Sequence, residues 1–136
     1  MASLAHHICY RSARQLQAYL PLESSRIEDL RKWLDLASRV LIPPIEVKCQ
    51  PLQVGQMEAE WMVPKSPDGQ IVGLFLHGGG YSIGSLQTHR GLVGRLAQLS
   101  GLSFLHIEYR LSPEHPFPAP LEDAVIAYQW LIHRGF

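Results

Sequence analysis

The chain has 136 residues, enough for one domain with a modest core. Apolar residues make up 46% and charged residues 18%, which excludes a disordered chain. Twelve basic and twelve acidic side chains cancel, so no overall field favours nucleic acid or an anionic membrane.

The opening residues, Met1 to Arg11, lack a basic lead into a long apolar core and do not read as a signal peptide. No run approaches the roughly 20 apolar residues that span a bilayer. A soluble, cytoplasmic protein is the expectation. Cys9 and Cys49 could form one bridge, but the absence of a secretory signal favours free thiols.

Residues 1–44 carry a helical period. A weak helix is predicted from Ser3 to Leu20, and a stronger one, capped by Ser24 or Ser25, to about Val40. Glu28 and Asp29 suit its positive end, and Pro43-Pro44 closes it. Two such helices act either as a lid or as packing, and the sequence leaves both open. From Ile45 the period shortens: Val47, Cys49 and Leu52, then Met57, Ala59, Trp61 and Val63, predict an antiparallel pair of strands. Asp68-Gly69 signals a turn. Ile71–Leu76 is apolar on both faces, as expected of a strand covered on both sides.

His77-Gly78-Gly79-Gly80-Tyr81 follows that strand. Three glycines in a row are unfavourable for folding and are accepted where backbone bends sharply or approaches a bound group closely. N–H groups freed by such a loop can face a developing oxyanion, as acyl transfer requires. A helix is then predicted from about Thr88, with Leu92, Val93, Leu96, Ala97 and Leu99 on one face and Gly101 as its stop. Leu102–Ile107 predicts a second doubly apolar strand. Asp123 to about His133 predicts a helix with Ala124, Ala127, Tyr128 and Leu131 as its stripe. Strand, helix, strand and helix with short connections imply a parallel, right-handed βαβ unit.

Val72–Ser85 (VGLFLHGGGYSIGS) and Glu108–Ala124 (EYRLSPEHPFPAPLEDA) together resemble the hormone-sensitive-lipase-like branch of the α/β hydrolases. The likeness runs from about Ile45 to Phe136. It implies an α/β fold, namely the N-terminal part of an α/β-hydrolase domain over residues 45–136, preceded by a helical cap-like segment over 1–44. It implies an oxyanion hole formed most directly by Gly79 and Gly80, with His77 and Gly78 shaping the turn. Arg110 and Glu114 would form a scaffold beneath the site, anchored by an arginine–carboxylate pair. Glu108 departs from the family's usual Asp, and Pro120 from a smaller residue. The family's serine elbow, acid and base have no matching positions among these residues, so no catalytic residue is assigned. What the likeness implies is therefore a carboxylic ester hydrolase whose small ester substrate belongs to a longer relative. A strand that normally pairs with Ile71–Leu76 is also unmatched, which implies an open sheet edge and self-association. The alternative is a non-catalytic binding or regulatory protein derived from the fold.

Gly80-Tyr81-Ser82-Ile83-Gly84 spells a nucleophile elbow, yet Ser82 stands several residues beyond the strand and ahead of the helix. Tyr81 is a candidate wall of the acyl pocket, or simply a packed aromatic. His106 is expected to be a satisfied core histidine, His115 to fix the proline-rich loop, and Asp123 to cap its helix. His6, His7 and Cys9 are weak metal ligands at a chain terminus; no metal or cofactor is expected.

Overall fold

A computed structural model describes residues 27–41 and 46–136. The predicted helix Ser3–Leu20, the caps Ser24 and Ser25, Ile45 and the His6–His7–Cys9 group lie outside those residues. Helix α1 (Ile27–Leu41) precedes β1 (Lys48–Val54), β2 (Met57–Val63) and β3 (Asp68–Leu76). Helix α2 (Leu86–Ser100), β4 (Leu102–Ile107) and α3 (Ala119–His133) follow.

The sheet has the order β1-β2-β4-β3. Strands β1 and β2 form an antiparallel hairpin, Val54 facing Met57 across the turn at Gly55. β2 pairs antiparallel with β4, and β4 parallel with β3, so β3 is the edge beside the glycine loop. Its outer side has no partner strand among the described residues.

Alternation along the strands feeds two apolar clusters. Val54, Met57, Ala59, Leu105 and Ile107 meet Ala127 and Leu131 of α3 on one face. Met62 meets Val93 and Ala97 of α2 on the other, with Phe75 and Phe104 packed alongside. Three layers result, α2 over the sheet over α3. No helix among the described residues is long and apolar enough to cross a membrane.

Several expectations fail for identifiable reasons. Asp68-Gly69 is not a turn: Asp68 already pairs with Leu102, and a bulge separates it from Val72. β3 is covered on both faces only in its middle, Val72 and Leu74 packing on one cluster and Phe75 on the other, while Ile71 and Leu76 are about half exposed. The inner face of α2 is its small-residue side, Gly91, Val93, Gly94 and Ala97, which lets the helix lie close to the sheet. Leu92, Leu96 and Leu99 point away. Tyr128 is likewise exposed on α3, which starts at Ala119 rather than Asp123.

Candidate functional site

Nine residues, His77–Ser85, link β3 to α2. Several of their carbonyls meet protein donors. Tyr109 Oη–H donates to His77 O at 2.5 Å, and the Ser82 and Ile83 N–H groups donate to Gly79 O at 3.2 and 3.1 Å. Gly78 O lies 3.1 Å from His77 Nδ1. Ser112 N–H donates to Tyr81 O at 2.7 Å, joining this loop to the proline-rich loop after β4. In a trans peptide the N–H points opposite to its C=O. Pinning the carbonyls of His77, Gly78 and Gly79 therefore turns the N–H groups of Gly78, Gly79 and Gly80 the other way. Among the described residues none of these three donates to protein. All three glycines line a cleft of about 650 Å3 with Tyr81, Tyr109, Phe117 and Leu121.

Glycine is required at two points of the bend. Gly79 has φ +130°, and a Cβ there would lie 2.0 Å from Ile83 O. Gly84 has φ +96°, and its Cβ would meet Gly78 O at 2.4 Å. Tyr81 adopts the left-handed region at φ +60° with its ring exposed along the cleft. Ser85 caps α2 in a reciprocal capping box with Thr88.

A buried polar layer supports the loop. His77 is 3% exposed and stacks on Tyr109 at 4.2 Å between ring centroids. His89 and His106 stand 5.5 and 6.3 Å from His77. His106 is buried as expected but not satisfied: among the described residues neither ring nitrogen finds a partner, nor does His77 Nε2. Burial holds all three imidazoles below their ordinary pKa; His106, further repelled by His77, His89 and Arg90, falls to about 3. Glu108 Oε2 accepts the Leu86 N–H at the start of α2 at 2.7 Å, and its Oε1 is 3.8 Å from His77 Nε2. Burial pushes its carboxyl up to about 7. The residue that departs from the family pattern thus bridges helix and loop.

The arginine–carboxylate anchor exists with different partners. Arg110 binds Asp123 through its backbone N–H, Nε and Nη2, and reaches Glu122 at 3.1 Å. Asp123 is therefore buried in that pair inside α3 and is not its cap. Glu114 instead binds Arg31 of α1. Asp35, one helical turn on, accepts the Ser85 hydroxyl at 2.5 Å. No sequence signal pointed to Arg31 or Asp35, because their partners lie 50 to 83 residues away. Ser82 does not stand on a strand–helix turn, since β3 ends at Leu76 and α2 starts at Leu86. Among the described residues its hydroxyl meets Gly80 O alone, at 3.4 Å. The His115 side chain is exposed, and only its backbone N–H, to Leu111 O, fixes the loop.

Residues 73–135 match the alpha/beta hydrolase fold family. An acetyl-hydrolase of Streptomyces hygroscopicus is 45% identical over 94 residues, 69% of this chain and 30% of that protein. An esterase of Acinetobacter venetianus is 31% identical over 106 residues, 78% of this chain and 35% of that protein. A crystal structure of an esterase from the bacterial hormone-sensitive lipase family superimposes with a TM-score of 0.85 at 34% identity, covering all of this chain and 45% of that one. The chain thus spans about a third of these curated relatives and under half of the solved structure. Over that span it has the α/β-hydrolase fold and resembles the hormone-sensitive-lipase-like carboxylesterases.

Proposed function

We propose that this chain carries the oxyanion-holding part of a carboxylic ester hydrolase, acting with a serine nucleophile, an acid and a base supplied from outside these 136 residues. The observation that supports it is the set of unpaired N–H groups at Gly79 and Gly80 on an apolar-walled cleft. When a serine attacks an ester carbonyl, the oxygen gains charge, and preorganised donors stabilise it without reorganising. One such donor is worth ~3–4 kcal/mol of barrier. His77 and Gly78 shape the bend, Tyr81 and Phe117 wall the acyl side, and the 1–44 segment is cap-like. Donors alone give only a residual rate. The isolated chain should show no burst of p-nitrophenol from p-nitrophenyl acetate and no labelling by a fluorophosphonate. A burst abolished by Ser82→Ala would overturn this assignment.

The unpaired edge of β3, with Ile71 and Leu76 exposed, supports self-association of the isolated chain through that edge. Sedimentation should show dimers or larger species; a monodisperse monomer contradicts it.

A further inference from the structure

Helix α1 presents Ile27, Leu30, Arg31, Leu34, Asp35 and Ser38 as one inner stripe, at i, i+3, i+4, i+7, i+8 and i+11. Its apolar contribution is the partly buried Ile27, Leu30 and Leu34, while Trp33 and Leu36 are 46% and 63% exposed. Polar contacts from the same stripe tie it to the loops. The Arg31 fork donates from Nε to Ser82 O at 2.8 Å and from Nη2 to Ser112 O at 2.6 Å. It also grips Glu114 in a bidentate pair at 2.9 and 3.0 Å. One guanidinium therefore ties the glycine loop to the proline-rich loop.

The Ser82 carbonyl belongs to the peptide whose N–H, on Ile83, donates to Gly79 O. Gly79 O in turn shares its peptide with the N–H of Gly80, a residue that lines the cleft. Arg31, the Ser82–Ile83 peptide and the Gly79–Gly80 peptide thus form one hydrogen-bonded series ending at a proposed oxyanion donor. In such a series each bond polarises the next, and a cation at one end draws the terminal N–H toward greater acidity. We propose that Arg31 is a positioning residue that aims and polarises the Gly80 N–H through these two peptides, making α1 a brace for the site. The role of Gly80 as a donor to substrate rests on the function proposed above; the brace itself does not.

The test compares wild type, Arg31→Ala and Arg31→Lys in the full chain by amide hydrogen exchange and 15N–1H spectra. With the brace removed, exchange at Ser82 and Ile83 should rise about tenfold or more while Leu105 and Ile107 keep their protection. The Gly80 amide should move upfield. Lysine keeps charge without a planar fork, so it should restore the melting temperature but not the Gly80 shift or the slow exchange at Ile83. Unchanged exchange and shifts in Arg31→Ala overturn the proposal, as does a uniform rise across β3, β4 and the loop. Titrating the wild type with methylphosphonate separates the two ideas. If Gly80 ignores the anion while Arg31→Ala still frees the loop, the brace stands and the oxyanion reading falls.

Discussion

His106 lies at the centre of the sheet, paired with Glu60 on one side and Phe75 on the other, with both ring nitrogens buried and unpartnered. A neutral imidazole carries one donor and one acceptor, and leaving them dry costs about 1–3 kcal/mol. Replacing it with leucine, of similar size, should therefore stabilise the chain by about 1–2 kcal/mol at pH 8, less some packing mismatch. The pH dependence is the sharper test. The folded pKa is about 3 against an ordinary value of 6.5. Protons thus bind the unfolded chain more readily, and stability due to this group is full above 6.5 and falls as pH drops toward 3. At pH 5 the gap is ~1.5 pH units, about 2 kcal/mol at 1.36 kcal/mol per unit. Urea unfolding at pH 8 and pH 5, followed by circular dichroism, should show wild type losing about 2 kcal/mol more than His106→Leu at equal m-values. Equal losses in the two proteins, or a His106 ring that titrates near its ordinary value by NMR, would refute the reasoning.

Glu108 works in the opposite sense. Its folded pKa of about 7 lies above 4.5, so its contribution is fully present below 4.5 and is lost as pH rises through 7. Glu108→Gln should thus match wild type near pH 4.5 and exceed it at pH 8. The ceiling is about 3 kcal/mol, reduced to about 1–2 because a third of the side chain meets solvent; urea titrations at the two pH values measure it. Gly79→Ala should destabilise by more than 2 kcal/mol or rearrange the loop, whereas Gly80→Ala, with open space at its Cβ, should cost about 1–2 kcal/mol. Parallel denaturation curves distinguish them. Ile71→Lys on the open edge should shift the isolated chain toward monomer in sedimentation, and unchanged association would place the contact elsewhere.

The sequence revealed the parts governed by local patterning. The hairpin at Gly55, the apolar strand Leu102–Ile107 and the glycine bend at 77–80 each follow from residue types within a few positions. Asp68-Gly69 misled because pairing with β4 overrides a local turn preference. On α2, leucine content pointed to one face, but the glycines at 91 and 94 decide how closely the helix approaches the sheet. The ionic partners were the least legible. Arg110 chose Asp123 over the nearby Glu114, which was already held by Arg31 from another element. Such choices are made by the assembled fold, where charges remote in sequence become neighbours.

The central claim, that the glycine bend presents main-chain donors to an anionic tetrahedral centre, is tested most directly by following the Gly79 and Gly80 amides as methylphosphonate is added to the folded chain. Both 15N–1H signals should shift downfield and saturate, the Ser82 and Ile83 amides should follow more weakly through Gly79 O, and Leu105 and Ile107, remote from the bend, should stay in place. No saturable shift at either glycine, or equal shifts at all four amides, contradicts it.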